Sequence, residues 1–270
     1  MHPRILIVGT GAIGGFYGGK LAQAGASVTT LCRADYEIVK ARGISVSSTL
    51  GDFHFTPERV IRDITEYTPP PDYLLVALKV LPETNTAKII KDAVGQETAI
   101  VLLQNGVEIE EPIARAFPNN EIISGLAFIC VTRTDSGHIE HTDFGRLVMG
   151  LFPRGKSDKT DQLAGLFHDS GVQCSVSEDV VTDRWRKLVW NAPFNPISVL
   201  GGGADTKTMV ENPESLELAR KVMEEVCSIA AAAGHPLEEE GGALRDLHHH
   251  QPRLELLGAV LHEAGPRLAP

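Results

Sequence analysis

The sequence predicts an α/β fold: an N-terminal Rossmann-type, doubly wound sheet followed by a smaller all-helical C-terminal domain. Three observations predict it. Short apolar runs alternate with helical segments through the first half, the pattern of a parallel sheet covered on both faces. A glycine-rich turn, GTGAIG, separates the first such run from the first helical pattern. After about Glu178 strand signals stop and only helical periodicity continues. The expected division is residues 1–175 and 176–270.

The elements follow in order. "RILIVG" reads as a buried strand, residues 13–24 as a helix rich in small residues, and "SVTTLC" as a second strand. "DYLLVALK", "AIVLLQNG" and "EIISGLAFICVT" are further strands, with "TNTAKIIKDAV" and "EEPIARAF" as helices between them. "RTDSGHIEHTDFGRLVMG" has a turn and an alternating pattern, so it is expected as an antiparallel hairpin at the sheet edge. In the second half, "DVVTDRWRKLVWNAPFNPISVL" reads as a helix bent by its prolines, and "NPESLELARKVMEEVCSIAAAAG" as a long amphipathic helix ending at Gly234. The tail, 241–270, is atypical and expected to be disordered. It holds three consecutive histidines and scattered prolines, and no aromatic residue follows Phe194. Adjacent residues on a helix do not share a face, so the histidine run predicts no metal site.

Composition narrows the function classes. The 270 residues are 43% hydrophobic and 22% charged, ordinary for a globular protein. A formal net charge of −10 argues against nucleic acid or an anionic membrane as a partner. No apolar run reaches the ~18 residues of a membrane span, and no signal peptide opens the chain, so a cytoplasmic location is expected. Cys32, Cys130, Cys174 and Cys227 have no paired spacing and read as reduced, small hydrophobic side chains.

The turn Gly9-Thr10-Gly11-Ala12-Ile13-Gly14 directly follows a strand and opens a helix, the context in which such a loop cradles a dinucleotide pyrophosphate. An acid at the end of the second strand would bind the ribose 2′-hydroxyl of NAD; this strand ends in Arg33, suited to the 2′-phosphate of NADPH. Asp35 lies two residues past that strand end. Lys79 and Asn105, with Gly106, end two later strands and point to the same crevice. In "RWRKLVWNAPFNP", Lys187, Asn191 and Asn195 recur at i, i+4 and i+8, so a helix sets one ammonium and two amides along one face over roughly 12 Å. Trp185, Trp190 and Phe194 flank that face. Amides can hold a carboxylate or hydroxyl while the lysine stabilises and protonates a carbonyl oxygen receiving hydride.

"GTGAIGGFYGGKLAQAG", "LCR", "LLVALK", "LLQNGV" and "RWRKLVWNAPFNPISVL", in this order and spacing over residues 4 to about 235, resemble the ketopantoate reductase family. The resemblance implies NADPH-dependent reduction of a 2-keto acid, 2-dehydropantoate to pantoate, for pantothenate and coenzyme A synthesis. It implies Lys187 as proton donor, Asn191 and Asn195 on the substrate, and Asn105 between cofactor and substrate. Arg33 and Lys79 would then serve the NADPH phosphates and ribose. Glu255 is the one candidate for the carboxylate that closes over substrate, and Asp205 stands where the family places a further asparagine. A related NAD(P)-dependent dehydrogenase of another keto or hydroxy substrate, or an inactive cofactor-binding protein, are the alternatives. The expected partner is a small 2-keto acid, with a homodimer as the candidate assembly.

Overall fold

All four apolar residues of the first strand, Ile5, Leu6, Ile7 and Val8, are fully buried in the computed structural model, which describes residues 2–237. Successive side chains of a strand face opposite ways, so this burial requires cover on both faces of the sheet. The core divides accordingly. Ile5 and Ile7 pack with Phe16, Tyr17, Leu75, Val101 and Phe167. Leu6 and Val8 pack with Leu74, Val76, Ile90, Leu102 and Ile113.

The chain runs β1 (Arg4–Val8), α1 (Ala12–Gln23), β2 (Ser27–Leu31), α2 (Tyr36–Arg42), β3 (Ile44–Ser48), β4 (Phe53–Phe55) and β5 (Arg59–Ile61). Then come β6 (Tyr73–Val76), α3 (Thr86–Ile90), β7 (Ala99–Leu102), α4 (Glu111–Ala116), β8 (Ile122–Asp135), β9 (His138–Leu151), α5 (Asp158–Asp169) and β10 (Cys174–Val176). One sheet takes the order β4-β3-β9-β8-β7-β6-β1-β2-β5, and β10 pairs with β9. Its section β5-β2-β1-β6-β7-β8 is parallel throughout. Numbered along the chain, that section has the 3-2-1-4-5-6 order of a doubly wound fold, whose direction reverses between β1 and β6. A reversal point opens a crevice at the carboxyl ends of the two strands, because their connections leave to opposite faces.

The expected antiparallel hairpin is present as β8 and β9, joined through Ser136 and Gly137, the latter at φ +70°. It does not form the sheet edge. β3 pairs in parallel on the far side of β9, and β4 pairs antiparallel beyond β3. These strands, "ISVSS" and "FHF", are short and half polar, so they carry no apolar run by which to recognise them. α1 crosses beneath this arm at close range. A Cβ on Gly15 would stand 2.3 Å from the Ile139 side chain of β9, and one on Gly19 would meet Phe53 and Phe55 of β4.

The chain divides into two compact units, residues 1–180 and 181 onward. Every described element of the second is helical: α6 (Val180–Leu200), α7 (Thr206–Glu211) and α8 (Pro213–Ala232). α6 runs as one helix through Pro193 and Pro196. α8 starts where the Asn212 side chain accepts the Ser215 N–H at 2.9 Å, with Pro213 in the first turn, where a missing N–H is harmless. Its buried residues Ala219, Met223, Val226 and Ala230 form one stripe at helical spacing. No helix among the described residues is long and apolar enough to cross a membrane. Cys32, Cys130 and Cys174 are buried free thiols, and Cys227 is half-buried. Glu255, the histidine run and the whole tail 241–270 lie outside the described residues.

Candidate functional site

The glycines of the first loop each meet a different constraint. Gly9 sits at φ +99°, and a Cβ there would lie 2.8 Å from the Ala77 carbonyl carbon, beyond the end of β6. Gly14 lies one helical turn on, where a Cβ would come within 2.1 Å of the Gly9 carbonyl oxygen. The two glycines therefore let loop, helix and neighbouring strand touch backbone to backbone. Gly11 differs: its absent side chain would meet nothing within 4 Å. As the N-cap of α1 it supplies no side-chain hydrogen bond, and no acid stands in the first turn. The helix start thus presents N–H groups and the positive end of its dipole towards open space, an arrangement suited to an anion.

That space is a cleft of about 220 Å³. Gly9, Thr10 and Gly11 line one side, and Leu31, Cys32, Arg33, Ala34 and Asp35 another. Whole ligand sites run ~300–1,000 Å³, so this volume accounts for one end of an extended ligand. The Thr10 hydroxyl donates to the Leu31 carbonyl at 3.1 Å and ties the loop to the end of β2. Burial pushes the Cys32 thiol up, against the smaller opposing effect of its contacts with Thr10 and Thr30, so it is a neutral part of the wall. Leu78 and Ile89 add apolar surface. Arg33 is exposed, and its guanidinium makes no hydrogen bond or ion pair among the described residues.

Asp35 is accounted for differently. Its side chain is only 8% exposed and accepts from Arg133 Nη1 at 2.6 Å and from the Ser136 hydroxyl at 3.3 Å. A carboxylate so engaged is a poor acceptor for a ribose hydroxyl. Arg133 comes from the far end of β8, 98 residues away in sequence, and it too lines the cleft. It pairs directly with Ile139 of β9, whose side chain faces Gly15 of α1. Directly paired residues share a sheet face, so Arg133 is on the α1 side as well.

The other expected residues fall in several places. Ala12, Ile13 and Gly14 form the first turn of α1, outside the cleft lining. Lys79 and Asn105 are exposed residues just past β6 and β7, at the same carboxyl edge of the sheet but also outside that lining. Gln104, not singled out by the sequence, holds these two exits together by donating from Nε2 to the Leu78 carbonyl at 2.7 Å. In the second unit, Lys187, Asn191 and Asn195 lie on the single helix α6, which puts all three on one face. Lys187 and Asn191 are half-buried and Asn195 is exposed. Trp185 and Phe194 are buried, and the Trp190 and Phe194 rings stack at 5.3 Å. Asp205 acts locally, its carboxylate capping α7 by accepting the Thr208 N–H at 2.7 Å. Arg133, Leu78 and Ile89 were missed because only the folded sheet brings them to the loop. Among the described residues no group of His, Cys, Asp and Glu could hold a metal ion.

Comparison with known proteins identifies relatives of the chain. The family model described as "Ketopantoate reductase PanE/ApbA" matches residues 5–154, and that for its C-terminal part matches residues 179–255. A 2-dehydropantoate 2-reductase of Nostoc sp. is 35% identical over 241 residues, covering 87% of this chain and 75% of its own. The crystal structure of 2-dehydropantoate 2-reductase from Methylococcus capsulatus is similar at TM-score 0.81 and 47% identity, over 87% of this chain and 76% of that one. The corresponding structure from Geobacter metallireducens gives TM-score 0.85 and 34% identity, over 97% of this chain and 84% of that one.

Proposed function

The chain belongs to the ketopantoate reductase family of oxidoreductases, and from that premise we propose that it reduces 2-dehydropantoate to pantoate with NADPH, in pantothenate and coenzyme A synthesis. The observation that carries the cofactor half is the cleft at the uncapped start of α1, where Gly11 faces open space and Arg33 has no partner among the described residues. A Cβ at Gly11 would stand where a phosphate has to approach the backbone, so the residues present fit a dinucleotide. Gly9, Thr10, Gly11, Ala12, Ile13 and Gly14 would hold its pyrophosphate, Arg33 its 2′-phosphate, and Lys79 its phosphates or ribose. Asn105 would lie between cofactor and substrate.

The bound dinucleotide supplies a hydride to the substrate's carbonyl carbon. The chain's own residues do the rest. Lys187 carries a proton at Nζ, stabilises the oxygen as it gains alkoxide character, and gives up that proton to make the hydroxyl. Asn191 and Asn195 donate side-chain N–H groups to the substrate carboxylate or hydroxyl and fix which carbon is presented. The reading is tested by following NADPH oxidation with 2-dehydropantoate, beside NADH, other 2-keto acids and a no-substrate control. Turnover specific to 2-dehydropantoate supports it. Faster turnover of another keto acid reassigns the substrate, and binding without turnover of any overturns the enzymatic reading.

A further inference from the structure

Asp35 and Arg133 make one device at the edge of the cleft. Asp35 stands near the end of β2, the region where an acid selects NADH by accepting its ribose 2′-hydroxyl. Here the carboxylate is almost wholly covered and paired with Arg133, whose side chain is 46% exposed, and both residues line the cleft. One Arg133 nitrogen is taken by Asp35 at 2.6 Å, which fixes the planar group and leaves the rest of its donor fork to the cleft. Ser136, in the hairpin turn, holds the other Asp35 oxygen. The charges at this end are Arg33, Arg133 and Asp35, a formal excess of one positive charge.

We propose that Arg133 is a second residue selecting the 2′-phosphate, and that Asp35 is its positioning residue, a carboxylate masked by the very cation it orients. This rests on the NADPH reading above and extends it to two residues that reading does not use. Its distinctive consequence concerns unmasking. Loss of Arg33 removes one cation from the phosphate. Loss of Arg133 removes a cation and also bares a carboxylate, which repels the phosphate and can accept from a 2′-hydroxyl. Arg133→Ala should therefore shift selectivity further than Arg33→Ala, and neutralising Asp35 should restore part of the loss.

The experiment is fluorescence titration of the full-length protein with NADPH and with NADH, for wild type, R33A, R133A, D35N and R133A/D35N. A charge-assisted contact is worth about 10- to 150-fold in affinity. R33A should lie inside that range for NADPH alone. R133A should weaken NADPH at least as much and leave NADH unchanged or tighter, and R133A/D35N should regain roughly 10-fold for NADPH relative to R133A. Since R133A leaves a covered carboxylate unpaired, it is the variant at risk of misfolding. If it does not fold, the double variant decides alone: it should lose NADPH selectivity relative to wild type. D35N frees Arg133 from its anchor and should weaken NADPH by only a few-fold, with NADH unaffected. Equal losses for both cofactors in R133A and the double variant, with R33A still selective, would overturn the role of Arg133 and leave the NADPH reading standing. A wild type that binds both cofactors equally would overturn that reading, and this proposal with it.

Discussion

The glycine loop and the lysine helix carry their proposed chemistry in opposite ways. In residues 8–14 the functional atoms belong to the backbone, and the sequence contributes by withholding side chains: Gly9 and Gly14 avoid collisions at 2.8 and 2.1 Å, and Gly11 leaves space open. In α6 the backbone is a single helix, continuous through two prolines, and all the proposed chemistry sits at the ends of Lys187, Asn191 and Asn195. Damage to the first region therefore reaches folding or cofactor affinity. Damage to the second reaches the chemical step and leaves the scaffold standing.

The largest expected effect tests the helix side of this contrast. Lys187→Ala should lower kcat by about 10²–10⁴-fold with cofactor affinity little changed, as measured by steady-state kinetics and fluorescence titration. A near-normal kcat would break the comparison outright. The loop side is sharpened by two substitutions of the same chemistry three residues apart. Gly14→Ala should cost about 1–3 kcal/mol in urea unfolding, since its methyl group would collide with fixed backbone. Gly11→Ala should leave stability within about 0.5 kcal/mol of wild type while weakening the cofactor. If both unfold alike, the loop's glycines have no separate roles. The smallest effect concerns Glu108, an exposed residue held at φ +59° three positions after Asn105. Glu108→Gly should stabilise by roughly 0.5–1 kcal/mol, because glycine takes that conformation without strain. A stability gain accompanied by a fall in kcat would mean that a fixed loop, as well as its side chains, serves the reaction.

Legibility in the sequence followed signal length. The β1 and β6–β8 strands announce themselves as apolar runs, because most of their residues are buried, and α8 as a regular stripe of buried residues at helical spacing. α2, β3, β4, β5 and β10 span three to seven residues each, mix polar and apolar positions, and depend on neighbours for their pairing. α5 is long enough, but only one side of it is apolar, with Leu163, Ala164 and Phe167 buried. The site divides in the same manner. Gly9, Gly11 and Arg33 could be read because loop and strand end are local, whereas Arg133 reaches the cleft across 98 residues. Asp35 carried the more instructive ambiguity. Its position suggests a competitor for the ribose, and only its hidden partner shows why it is not one.

The ladder between β8 and β9 slips at three places, between Phe128 and Ile129, Cys130 and Val131, and Arg133 and Asp135. Because a strand alternates its faces, parity decides where Arg133 points. Drop one residue from this arm and the guanidinium swings to the opposite side; drop two and it returns. If Arg133 selects the cofactor as proposed, preference can thus shift through insertions and deletions in this arm, at positions far in sequence from the glycine loop. Paired one- and two-residue deletions near Cys130, scored by the ratio of NADPH to NADH affinity, should alternate in this way. A ratio that falls equally in both would show that the arm acts only as a wall.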